Sequence, residues 1–208
     1  MKRNSDSAPS VFAHSISFFN RIAFWVATQV VTAPRNKQRA ALIERFISMG
    51  RLCKEWNNFS TLFQIFSGLN MAPVQRLERA WAKVSQKHKS VFNMLSRYAS
   101  GERNFSVYRE ALAQTQPPLV PYVGIFCKDI SACVDGMSYR TSNGAVQFSR
   151  LMPYAHAIEN AVRLQRVSYG FKPNERIMMW IATRLEVFDE VQLYDHVKKV
   201  LSGVKTTE

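Results

Sequence analysis

The chain has 208 residues, 47% hydrophobic and 21% charged, which is enough for one domain with a real core and argues against wholesale disorder. Its three cysteines (Cys53, Cys127, Cys133) are odd in number and lack paired spacing, so neither a secreted disulfide framework nor a CxxC zinc site is expected. The formal charge of +13 is scattered, with short clusters at 35–39 and 83–89, and no nucleic-acid motif accompanies it.

Residues 1–10 are polar and Ser-rich and read as a frayed leader. From Ile16 the pattern turns helical through Phe19, Ala23, Val26 and Val30, with Ile22 and Trp25 on other faces and Ala33-Pro34 as the stop. Leu42, Phe46, Met49, Cys53 and Trp56 form a 4-3-4-3 stripe over 36–56, read as the buried face of a second helix. Asn58 is placed to cap a third, carrying Phe59, Leu62, Phe63, Phe66 and Leu69, with Gly68 near its end and Pro73 opening the next. Val74, Leu77, Trp81 and Val84 give another single-faced stripe. Val91, Leu95 and Tyr98 mark a helix closed by Ser100-Gly101.

Asn104 is read as the opening of a short helix with Phe105, Tyr108 and Leu112. Pro117-Pro118 and Pro121 force an extended crossing. Periodicity leaves 122–127 open between helix and strand. Asp135-Gly136 and Ser142-Asn143-Gly144 are turn signals around an exposed excursion. A long helix is expected over 148–165 with Pro153 in its first turn, followed by helices at 177–185 and 191–200. The chain reads as all-α.

Segment 22–31 is the longest apolar run, broken by Thr28 and Gln29 and too short to span a bilayer. Lys2 and Arg3 precede polar residues where a signal peptide needs an apolar stretch. A soluble, cytoplasmic protein is expected, with a peripheral place at the membrane as the alternative. Its four histidines are far apart, and GxxxxGK[ST] and GxSxG motifs are missing, so no metal, cofactor or nucleophile is expected. The excess charge is shared among three readings: solvated helix faces, an acidic membrane or protein surface, and last a nucleic acid.

Residues 57–77 resemble the catalytic domain of Ras-family guanine-nucleotide exchange factors. Further blocks resemble that family in order. They are Phe19-Asn20 with Trp25-Val26-Ala27-Thr28, Arg76-Leu77 with Trp81, and Asn104-Phe105 with Tyr108-Arg109 and Leu112. Pro118 to Ile125 with Asp129 and Asp135-Gly136 follows, and then Val146-Gln147-Phe148-Ser149. The resemblance implies an irregular multi-helix bundle with a protruding helical hairpin, spanning 16–208 behind a 1–15 leader and lacking the family's upstream helices. It also implies a Ras-like small GTPase as partner and no bond chemistry. The hairpin would displace a switch segment so that GDP leaves and GTP enters.

Carried over by position, the hairpin's first helix runs over 129–136, with Asp135 as the acidic tip residue and Ser131 as the small wedge residue. Its return helix begins near Val146. Ile16, Phe105 and Tyr122 would form a pocket for a GTPase aromatic, with Asn20 and Asn57 as polar contacts. From the residues alone, Phe105 and Tyr122 read equally well as core, Asn57 as a helix cap, and Asp135 as a turn residue. A GTPase binder of the same fold that exchanges poorly is the second reading. Asp135 where the family has Glu, and Pro153 in the return helix, are the departures that raise it.

Overall fold

The computed structural model describes residues 11–135, 144–164, 167–185 and 187–202. Among them the regular structure is helical, with an isolated bridge between Asn58 and Val120. None of these helices is long and apolar enough to cross a membrane.

Helix α1 (Val11–Thr32) starts five residues before the apolar periodicity does. Its first turns are exposed, whereas Ala23, Val26, Ala27, Val30 and Val31 are buried. Helix α3 (Phe59–Asn70) crosses it at very short range. A Cβ on Gly68 would lie 2.4 Å from the Ala23 carbonyl oxygen and 2.7 Å from Val26 Cβ, so only glycine permits this approach. The Asn58 side chain caps α3 as expected, accepting from the Thr61 N–H at 3.0 Å.

Helix α2 (Asn36–Glu55) corrects the expected stripe. Its buried face is Ala40, Ile43, Phe46, Ile47 and Gly50, whereas Met49 and Trp56 are about half exposed at 45% and 55%. Two apolar stripes run along this helix, and the one with the smaller residues fits closely against α1 and α3.

The expected stripe through Val84 is broken into α4 (Ala72–Gln75) and α5 (Glu78–Trp81), because the backbone leaves the helical region at Leu77. Its apolar residues still reach the core, and Trp81 Nε1 donates across the break to the Val74 carbonyl at 3.1 Å. Helix α6 (Gln86–Ala99) has a carboxylate from α2 at its N-terminus: Ser85 N–H donates to Glu44 Oε1 at 2.7 Å. That bond holds Glu44 below the usual carboxylate range.

The remaining helices are α7 (Ser106–Gln114), α8 (Val123–Asp135), α9 (Phe148–Arg163), α10 (Glu175–Arg184) and α11 (Glu190–Leu201). Within segment 122–127, residues 123–127 thus resolve as helix, with Tyr122 just before it. Pro153 lies in the second turn of α9 rather than the first, where its missing N–H withholds one bond near the helix start. The excursion at 136–143 lies outside the described residues.

Two main cores result. The first joins α1 to α5 with Leu193 and Val197 of α11. Helix α11 is fixed there by an Asp189–Gln192 capping box and by the Phe188 N–H, which donates to buried Thr28 Oγ1 at 2.9 Å. The second is aromatic: Phe59, Phe63 and Tyr108 with Leu62, Leu95 and Ile125. Helix α3 is the wall between them.

Candidate functional site

The second core opens onto a surface made by α1, α7 and α8. Its geometry begins with the proline-rich crossing, in which Pro117-Pro118 is a cis peptide. Val120 N–H donates to the Asn57 carbonyl at 3.0 Å, and Ser60 N–H donates to the Val120 carbonyl at 3.1 Å. These two bonds lay Tyr122 beside α3.

Tyr122 then stacks on Phe63 with ring centroids 4.3 Å apart, and meets Phe19 at 5.1 Å. Gly124 permits this fold-back, because a Cβ there would fall 2.4 Å from the Tyr122 ring. The Tyr122 N–H is taken by the Tyr108 hydroxyl at 2.8 Å. Tyr108 is fully buried, and burial pushes its phenol up to about 12.

That shift has a pH signature. The unfolded phenol ionises near its ordinary value of 10.0 while the folded one keeps its proton to about 12. Stability is therefore intact below pH 10 and falls between those values, by roughly 2–3 kcal/mol from this group. Denaturant melts across this range should show less alkaline loss in Tyr108→Phe than in the parent. Equal loss in both would remove Tyr108 as its source.

The segment before α7 differs from the expected helix opening at Asn104. Arg103, Asn104 and Phe105 all adopt positive φ (47°, 57° and 60°), and α7 starts at Ser106. Successive left-handed residues cost energy, and three contacts offset it. Arg109 Nε donates to the Asn104 carbonyl at 2.8 Å, Lys128 Nζ to Asn104 Oδ1 at 3.0 Å, and the Lys128 ammonium lies 5.3 Å over the Phe105 ring. Phe105 is thereby turned toward Phe63, at 6.4 Å.

Arg109 also grips Asp129 through two bonds, 2.8 Å and 2.6 Å, joining α7 to α8. The pair raises the Arg109 guanidinium above its ordinary value. Beyond this clamp α8 leaves the core: Ile125 and Phe126 before it are buried, whereas Ser131 and Ala132 after it are exposed. Helix α9 returns along α8.

Of the candidate residues, Phe105 and Tyr122 meet on Phe63, both half buried, so they are core and surface at once. Ile16 lies one turn before Phe19 on α1, 44% exposed, and Asn20 is exposed beside Phe19. Ser131 is exposed on α8. Asp135 is the last residue of α8, and its side chain lies outside the described residues.

Asn57 is not an N-cap, since Asn58 fills that place. It closes α2 in the left-handed conformation, φ 56°, with its own N–H on the Lys54 carbonyl and the Asn58 N–H on the Cys53 carbonyl. Asn57→Gly should leave stability within about 0.5 kcal/mol, whereas Asn57→Ala should cost about 1 kcal/mol. Equal melts for the two variants would remove the backbone role.

Sequence reasoning did not single out Phe19 and Phe63 as walls of this surface, nor Gly124 or the Arg109–Asp129 pair. Arg109 and Asp129 stand 20 residues apart in two separate motifs, so no local spacing links them. Among the described residues, no group of three or more His, Cys, Asp or Glu is arranged to hold a metal ion.

A family model described as the RasGEF domain matches residues 1–152. The chain is 32% identical over 203 residues to Ras guanine nucleotide exchange factor M of Dictyostelium discoideum, covering 97% of this chain and 22% of that protein. It is 27% identical over 195 residues to Ras-specific guanine nucleotide-releasing factor 1 of Rattus norvegicus, with coverage of 94% and 16%. To Ras-specific guanine nucleotide-releasing factor 2 of Mus musculus it is 28% identical over 200 residues, with coverage of 96% and 17%. The chain thus spans at most 22% of the length of these relatives.

Proposed function

We propose, from the premise that this chain belongs to the RasGEF domain family, that it binds a Ras-like small GTPase and promotes GDP release and GTP loading. The observation that carries this reading is the matched span, 1–152, which includes the whole aromatic surface and α8. The relatives are named as exchange or releasing factors of Ras. The reading places the protein in the cytoplasm.

The mechanism needs no bond to be made or broken. A protein that binds the nucleotide-free GTPase more tightly than the GDP-bound form lowers the barrier to release by that difference in affinity. The aromatic surface supplies the affinity. Phe105 and Tyr122, backed by Phe63 and Phe19 and extended by Ile16, would receive an aromatic side chain of the GTPase, with Asn20 and Asn57 as polar contacts. Helix α8 supplies the difference. Exposed Ser131 lets it approach closely, and the Asp135 carboxylate at its end would repel phosphate and compete for its Mg²⁺. Helix α9 is the returning arm.

The test is release of a fluorescent GDP analogue from a panel of Ras-like GTPases. Acceleration by folded protein supports the reading, and no acceleration with any of them overturns it. A second reading, a GTPase binder that exchanges poorly, rests on Asp135 being one methylene shorter than Glu and on Pro153 inside α9. It predicts stable complex formation without release.

A further inference from the structure

Lys128 carries a charge that the fold leaves unanswered. It stands exposed in the second turn of α8. Its Nζ donates to Asn104 Oδ1 at 3.0 Å and lies 5.3 Å over the Phe105 ring, and both of these partners are neutral. Among the described residues no ion pair includes it. The carboxylate next in sequence, Asp129, is held by Arg109 through bonds of 2.8 Å and 2.6 Å. One guanidinium and one carboxylate cancel there, and the charge of Lys128 is left over.

An exposed lysine is ordinary, and most sweep freely through water. This one is held at two points on the edge of the aromatic surface. Two other cations lie over rings, Lys54 over Tyr98 and Arg76 over Tyr194, but neither ring is among the four that form that surface. One N–H of the ammonium goes to Asn104, so donors remain for an outside group. Because the ammonium is already placed, an arriving carboxylate has little left to order.

Desolvation selects the occupant. A side chain that packs on Phe105 from outside comes close to this ammonium, and covering a cation without a counter-charge is costly. A partner that fits the surface therefore brings an acid with it. Lys128 also stands seven residues before Asp135, about 10 Å back along the helix. With the end of α8 at the nucleotide, Lys128 faces protein and not phosphate. We propose that Lys128 is a specificity residue of the aromatic surface, receiving a carboxylate that the GTPase carries beside the aromatic side chain it inserts against Phe105 and Tyr122. This rests on the exchange reading and adds the chemistry of the partner's contact.

The test uses the full chain and a Ras-like GTPase whose nucleotide release it accelerates, with association followed from about 50 to about 300 mM salt. Lys128→Glu should bind at least roughly tenfold more weakly than the parent at low salt, and the gap should narrow as salt rises. Lys128→Gln keeps a donor for Asn104 and loses the charge, so it should fall between the two. Lys128→Arg should keep most of the binding, and both of these should melt as the parent does. If Lys128→Glu melts early, the salt profile is read from Lys128→Gln. Reversing exposed acidic residues of the GTPase to Lys, one at a time, should find one that restores binding to Lys128→Glu. Parent-like binding by Lys128→Glu overturns the proposal. So does a loss that salt does not change and no reversed residue restores, which would leave Lys128 a prop for the turn before α7. If the parent chain neither binds nor releases nucleotide from any GTPase, the exchange reading falls, and this proposal with it.

Discussion

Gly68→Ala is expected to cost about 3 kcal/mol of stability, near the upper end for an added methyl in a packed core. The new Cβ would meet the Ala23 carbonyl oxygen at 2.4 Å, and backbone cannot rotate out of the way. Relief requires α1 and α3 to part along their whole crossing. On a total of 5–15 kcal/mol for a typical domain, that is a large share, and the melting temperature should fall by about 6–12 °C. Gly50→Ala is the control. Its Cβ would lie 2.9 Å from Leu95 Cδ1, the mobile end of a side chain, so a shift in one rotamer suffices. Thermal and denaturant melts of the two variants should differ clearly. If Gly68→Ala is as mild as Gly50→Ala, the crossing is looser than the structure shows. The same parting would draw Phe19 on α1 away from Phe63 on α3 and Tyr122, so loss of stability and loss of the candidate surface should appear together.

Tyr122→Ala should weaken association with a Ras-like GTPase at least tenfold, about 1.4 kcal/mol. It should also cost about 2 kcal/mol of stability, less than a fully buried aromatic because the ring is half exposed. The ring gives Phe63 its stacked neighbour, and without it the surface loses both a wall and its rigidity. Tyr122→Phe keeps the stack and should keep most of the binding. Asp135→Ala should behave differently, slowing nucleotide release while leaving association nearly unchanged, because it sits at the end of α8 and outside the aromatic surface. Measuring complex formation and nucleotide release separately distinguishes the two. Unchanged binding by Tyr122→Ala would remove the pocket. Equal loss in both assays from Asp135→Ala would reduce it to a turn residue.

Much of this architecture is written locally in the sequence. The Asn58 cap, Pro73 in the first turn of the next helix and the multi-faced α1 follow from residue type and spacing, and the structure agrees, whereas Gly68, read as punctuation, lies inside α3, which runs on to Asn70. What is not local is less legible. On α2 the stripe of large residues, Met49 and Trp56 included, outweighs Ala40 and Gly50 by eye, yet small residues permit the close contact that defines the buried face. The three left-handed residues before α7 are unreadable, because Arg103 and Phe105 carry no intrinsic preference for that region and are held there by α7 and α8. Ile16, Phe105 and Tyr122 were suggested by the family likeness. That likeness does not disclose the Phe19–Tyr122–Phe63 stack, which joins α1 and α3 to the residue before α8, or the Arg109–Asp129 pair.

The position of that pair along α8 has a mechanical consequence. A helix rising 1.5 Å per residue places its final residue about 18 Å from Val123 but only about 9 Å from Asp129. A 10° tilt about the helix root would sweep the end by about 3 Å, whereas the same tilt pivoting at Asp129 sweeps it by about 1.5 Å. The guanidinium–carboxylate fork therefore acts as a fulcrum that halves the lever arm, and the final residue of the helix is aimed by an ion pair about 9 Å away from it.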